Sequence, residues 1–200
     1  MCFSEKASLT TLLVGLVASA FAYSLGRPED KIYGLFFAFV SLMQLIEYLL
    51  WKHQVCDAYN KMLSFMGKFL NLIQPIVLFL LVMYFKDIPN KKTLYIIIGL
   101  YSAFLISCYN WNINDQQCII KGTDGHLRYP WSNFNIVLHG VFVATLTAVA
   151  YYSGFRLAPF VIPLTYLLSY LFYRPINMVG EMWCILAVFI PIFYYLKNKS

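Results

Sequence analysis

Long apolar runs separated by short polar connections dominate the chain. Runs at 8–24, 32–51, 62–85, 93–109, 133–152, 160–172 and 178–195 predict seven helices, most close to the roughly 20 residues that cross a hydrocarbon core. The breaks carry turn chemistry. Residues 26–31 read Gly-Arg-Pro-Glu-Asp-Lys and 86–92 read Lys-Asp-Ile-Pro-Asn-Lys-Lys, both rich in groups that end helices. In the third run Lys68, Asn71 and Gln74 recur at every third position, and Pro75 predicts a kink just beyond them. The longest connection, 110–131, holds Cys118, Asp124, His126, Arg128 and Pro130. The first run carries Ala18-Ser19-Ala20, which mimics a signal cleavage site, but it is long for a signal core and reads as the first span. The expected architecture is an all-α polytopic bundle, with 1–200 a single transmembrane domain.

The second run contains a carboxylate, Glu47. At helical spacing Ser41, Gln44, Glu47 and Trp51 share one face, because steps of three and four return to the same side. A charge facing lipid costs roughly 3 kcal/mol or more, so this face is expected to look into protein or a wet cavity. The alternative is a glutamate near a helix end that reaches the headgroups and has no further role.

Composition narrows the class. At 60% hydrophobic and 12% charged, the chain falls well below the typical charged share of about 25% for soluble domains. The net charge of +6 is spread over short connections without a cluster that would suit nucleic acid, and the bilayer is the expected partner.

Seven spans put the N-terminus and the 2–3, 4–5 and 6–7 connections on one side, called side A. Glu47, Lys68, Asn71, Gln74, Asn135, His139, Arg174 and Glu181 then fall in or beside the side A half of their spans. The histidines and cysteines gather there too. The side B halves read as aliphatic and aromatic, with Tyr151, Tyr152, Tyr194 and Tyr195 suited to an interfacial belt. A pore or carrier needs polar lining that reaches both faces, whereas this asymmetry suits a pocket served from one leaflet. Side B carries Arg27, Lys31, Lys86, Lys91, Lys92, Arg156, Lys197 and Lys199, against Lys6, Lys52, Lys61, Lys121, Arg128 and Arg174 on side A, which favours N-out, C-in. Cysteines on side A agree, since disulfides persist in oxidising compartments.

The five cysteines are Cys2, Cys56, Cys108, Cys118 and Cys184, an odd number that leaves at least one thiol outside a pair. A disulfide reading joins Cys2 to Cys184 and Cys118 to Cys56 or Cys108. A metal reading groups Cys2, His126, Cys184 and Glu47 into a donor set that would suit zinc. No phosphate-binding loop, zinc-protease helix or nucleophile elbow is present, and the last span has no lysine for a retinal Schiff base.

Short motifs in order carry one resemblance. Met1-Cys2-Phe3-Ser4 followed by Ala7-Ser8, Glu47 with Trp51, His126-Leu127-Arg128-Tyr129, and Trp183-Cys184 together resemble an uncharacterised family of small multipass membrane proteins that open on Met-Cys-Phe-Ser. Tyr48 stands where a small residue would follow the glutamate in that family. The resemblance implies Cys2, Glu47, Trp51, His126, Tyr129, Trp183 and Cys184 as candidate residues and implies no reaction.

Three functions remain open. In the first, a polar pocket open to one leaflet binds a small molecule or metal, and a lipid-active enzyme is one form of it. Its catalytic groups would be Glu47, Glu181 and His139, and its binding groups Gln44, Trp51, Lys68, Asn71, Gln74, Asn135, Tyr129, Arg174 and Trp183. The second is a proton or ion channel or small-solute transporter. The third is a structural membrane protein with paired carboxylates and no substrate.

Overall fold

A computed structural model describes residues 4–111, 118–123, 125–130, 136–173 and 187–196. Within them the chain is helical apart from one short hairpin. The helices are α1 (Glu5–Ser24), α2 (Pro28–Lys52), α3 (Ala58–Leu72), α4 (Gln74–Phe85), α5 (Lys91–Trp111), α6 (Ile136–Tyr152) and α7 (Ala158–Tyr173), followed by α8 (Ala187–Leu196). Strands β1 (Ile120–Lys121) and β2 (Leu127–Arg128) pair antiparallel between α5 and α6. By length and composition α1, α2 and α5 can cross a membrane; α3 with α4 makes a fourth crossing if the bent pair is one span. The shorter apolar helices α6, α7 and α8 do not reach that length among the described residues.

The helix starts follow local chemistry. Ser4 caps α1 by accepting from the Ala7 N–H at 3.1 Å. α2 opens on Pro28, whose missing N–H costs nothing at a first turn, and Asp30 accepts from the Arg27 N–H at 2.9 Å. α2 therefore begins four residues earlier than the apolar pattern alone predicts. α6 ends in a Schellman turn: the Gly154 N–H donates to the Tyr151 carbonyl, the Phe155 N–H to the Ala150 carbonyl, and Gly154 has φ +83°.

α1 and α2 form the tightest pair. Ser8, Leu12, Gly15, Ala18, Ser19 and Ala22 are the buried face of α1, a stripe of mostly small side chains that lets two backbones approach. A methyl added at Gly34 would lie 2.7 Å from the Ser19 carbonyl oxygen and 2.9 Å from the Tyr23 nitrogen. One added at Gly15 would overlap Ser41 Oγ and come within 2.9 Å of a Val188 methyl, so α8 packs into the same seam.

The third run is broken where Pro75 leads one to expect it, by a bend of 50° between α3 and α4. Proline has no N–H and crowds the carbonyl four residues back, so the ladder fails there. The Ile76 N–H turns to Ile73, and the Leu72 carbonyl instead accepts from Tyr101 Oη at 2.7 Å. Removing that hydroxyl with Tyr101→Phe leaves a carbonyl short of its donor at the bend. The expected cost is about 1–3 kcal/mol, read as a lower unfolding midpoint in detergent; an unchanged midpoint would assign the bend to proline alone.

The element ends sort into two sets. At one end Glu5 of α1 meets Lys52 of α2 at 3.5 Å. There the first turn of α3 and the α2–α3 connection also bond to the hairpin segment, Asn60 donating to the Ile119 carbonyl at 3.0 Å and the Lys121 N–H to Gln54 Oε1 at 2.6 Å. At the other end Lys86, just past α4, meets Glu29 of α2 at 2.8 Å and donates to the Ser153 carbonyl after α6 at 3.0 Å. Tyr194 of α8 donates to Asp30 Oδ1 at 2.6 Å. Because α3 begins at the first end and α4 finishes at the second, the bent pair traverses the bundle and does not return to its own side.

Candidate functional site

The face of α2 picked out by its spacing is buried along its length. Ser41, Gln44 and Glu47 are all shielded, each at 0% exposure, and Trp51 continues the face toward the side A end. Glu47 accepts from Ser8 Oγ of α1 at 3.4 Å, and Ser41 closes its own hydroxyl onto the Phe37 carbonyl at 2.8 Å. Gln44 differs. Neither its amide nitrogen nor its amide oxygen has a hydrogen-bond partner among the described residues, and the same holds for the Trp51 indole N–H. A buried amide without partners costs about 1–3 kcal/mol, so these groups form an unfinished polar surface about one turn on either side of a carboxyl group.

Around the bend of α3 and α4, Asn71 and Gln74 are buried, with Gln74 Nε2 donating to Asn71 Oδ1 at 3.3 Å. Lys68 is half-buried on α3. Near the middle, Gly67 of α3 lies against Met43 and Ile46 of α2. α2 therefore turns one face to the α3 seam and the adjoining face, with Gln44, elsewhere. His139 pairs through Nδ1 with Tyr166 Oη, which ties α6 to α7. The expected convergence of Glu47, His139 and Glu181 turns on Glu181, which lies outside the described residues. Asn135, Arg174, Trp183, Cys184 and Cys2 lie outside them as well.

A cap covers the end of the bundle where Glu5 meets Lys52. Cys56 and Cys118 form a disulfide with Cα atoms 5.5 Å apart, which chooses Cys56 from the two partners left open for Cys118. Cys108 is in no disulfide among the described residues. Behind the disulfide, Asn60 is wholly buried and donates both to His53 O at 2.9 Å and to Ile119 O, while Ser64 donates to Asn60 Oδ1 and accepts from the Ile119 N–H at 2.9 Å. Ile119, Leu127 and Tyr129 are sunk into the core. The longest connection is thus, at residues 118–123 and 125–130, a plug with an apolar underside. His126 sits in its turn, its carbonyl accepting from the Gly122 N–H at 2.7 Å. The Lys121 ammonium lies 6.0 Å from the centre of the Trp51 ring, so the hairpin reaches the end of the α2 face.

Asp57 caps α3, and its carboxyl is held below its ordinary 3.8 by the Asn60 N–H first and His53 second. A depressed folded-state value means the contribution is whole above pH 3.8 and is lost as pH falls below it. Proteolytic protection of the hairpin is therefore expected to weaken on that acid limb, and Asp57→Asn, still a good helix cap, should flatten the limb. Identical acid limbs in both proteins would remove Asp57 from the cap.

At the opposite end, the charged turn 26–31 is partly internal. Asp30 is fully buried and held by Arg27 at 2.9 Å and by Tyr194. Tyr194 is half-buried and stacked on Tyr33 with ring centres 4.1 Å apart. The charge of Asp30 was visible in sequence, but its burial follows from a tyrosine 164 positions away.

Among the described residues no three His, Cys, Asp or Glu side chains are grouped to hold a metal ion. Two members of the zinc set, Cys2 and Cys184, fall outside them. Comparison of the chain with family models, curated proteins and solved structures returns no match.

Proposed function

We propose that this is a multi-pass integral membrane protein of seven crossings, the third made by the bent α3–α4 pair, with its N-terminus outside. On this reading the Gln44–Glu47–Trp51 face of α2 binds a small molecule from the outer side. The two-ended sorting of Glu5–Lys52 and the hairpin against Arg27–Asp30–Tyr194 and Lys86–Glu29 supports alternate crossings. The Cys56–Cys118 disulfide supports an oxidising compartment on side A. The observation that carries the binding role is the Gln44 amide, wholly buried with neither atom bonded among the described residues.

Ion flux is the competing reading, and the aromatic packing below Gln44 weighs against it. Tyr33 stacks with Phe37 at 5.8 Å, and Phe36 meets Phe37 edge-on at 5.3 Å. These rings lie between the polar face and Asp30. A conduction path needs polar groups or water through that level.

Native mass spectrometry on protein extracted in mild detergent tests the reading. The wild type is expected to carry a bound species near one per chain, and Gln44→Leu to lose it. An empty wild type, together with proton flux in proteoliposomes that Glu47→Gln abolishes, would replace binding with conduction.

A further inference from the structure

We infer that the ligand of this face is a neutral lipid with a free hydroxyl in its polar region, of which a diacylglycerol is the simplest form. This deepens the binding role proposed above and rests on it. The chemistry starts at Gln44, whose amide needs a donor for its oxygen and an acceptor for its nitrogen, both absent among the described residues. A hydroxyl supplies the two at once, donating to Oε1 while accepting from Nε2. An ester or ether lipid without a hydroxyl satisfies only the nitrogen. The Trp51 indole N–H, on the same face about two turns nearer the helix end, also lacks an acceptor.

Charge narrows the head further. Glu47 lies between the two groups and is wholly buried, so a phosphate there would be stripped of water beside a carboxyl that offers it no positive charge. The Lys121 ammonium over the Trp51 ring places a positive charge at the outer end of the same face, which disfavours a cationic head. A neutral head meets neither conflict.

Location decides between a lipid and a soluble polyol. Gln44 is eight residues from the end of α2 at Lys52, about 12 Å along the axis, below the headgroup level. The direct way in from water is closed by Ile119, Leu127 and Tyr129, each at most 1% exposed, under a hairpin fixed by a disulfide. The outer faces of α1 and α3 are apolar, with Leu13, Val17, Met62 and Phe65 exposed, so the surface next to the site suits an acyl chain.

The test uses the full-length protein stripped of lipid by detergent exchange, with 1,2-dioleoylglycerol, its 3-acetyl ester, dioleoylphosphatidylglycerol and glycerol added separately. Binding is followed by native mass spectrometry and by the unfolding midpoint. Dioleoylglycerol is expected to bind at least tenfold tighter than the acetyl ester, in which an acetyl group replaces the hydroxyl hydrogen and removes the donor. Gln44→Leu should erase that ratio, and Trp51→Phe, which keeps a ring and removes the N–H, should weaken binding of both esters alike. Equal binding of the acetyl ester overturns the hydroxyl assignment, and preference for the anionic lipid, whose glycerol head also carries hydroxyls, overturns the neutral head; either leaves the binding role standing. A shift produced by glycerol alone overturns the lipid source. No binding by the wild type of any probe, with no species retained on mild extraction, overturns both.

Discussion

Gly34→Val is expected to keep the protein from accumulating in folded form, and Gly34→Ala to lower its unfolding midpoint sharply. The added carbon would sit 2.7 Å from a backbone carbonyl of α1 and 2.9 Å from a backbone nitrogen. Neither atom belongs to a flexible side chain, so relief requires moving α1 away from α2. Forcing extra carbon into a packed seam costs typically about 1–3 kcal/mol and more where backbone must shift. The seam also holds Ser8 against Glu47, so separating the helices exposes a buried carboxylate. Gly99→Ala and Gly140→Ala serve as controls, because nothing lies within 4 Å of either position. Equal tolerance at Gly34 and Gly99, measured by size-exclusion yield and thermal unfolding, would rule out the close α1–α2 approach.

Cys118→Ala should cost nearly as much. The disulfide joins residues 62 apart, and closing a loop of that length stabilises by roughly 4 kcal/mol on chain-entropy grounds, an upper figure where strain or residual order intervenes. Asn60 and Ser64 still hold the Ile119 backbone in the variant, so the helices are expected to survive while the hairpin loosens. Faster cleavage in 118–130 and a lower midpoint are the readouts. Cys56→Ala should match it, and the double variant should add little, since both remove one bond. A dithiol reductant acting on the wild type should reproduce the variant. A wild type cleaved at the same rate as all three variants would leave the cap to its hydrogen bonds.

Much of the helical layout was legible because apolar runs and breakers are local signals. The α2 face was readable from Ser41, Gln44 and Glu47 at three-residue steps, and all three are buried. The break at Pro75 was readable because it depends on one residue's missing N–H. The cap was not. Its strands are two residues long, too short for an alternating pattern, and its anchors, Asn60 and Ser64, grip a backbone 55 to 59 positions away. Asp30 read as part of a charged turn because its partner Tyr194 lies at the far end of the chain. Tyr166 was missed for a related reason: a tyrosine in an apolar run looks like packing until His139 is placed against it. Cys118 could be paired only down to two partners, since spacing does not tell which loops fold together.

The central claim, that the α2 face is built to receive a ligand, turns on whether the Gln44 amide is unsatisfied in the empty protein. The direct measurement is the unfolding midpoint of lipid-stripped Gln44→Leu against lipid-stripped wild type. Replacing a buried amide that has no partners by an apolar group of similar size removes a desolvation penalty, so the variant is expected to be more stable by about 1–3 kcal/mol. An amide already satisfied inside the fold predicts the opposite sign, because its loss would strand the groups bonded to it. A stripped Gln44→Leu that unfolds below the wild type would contradict the account.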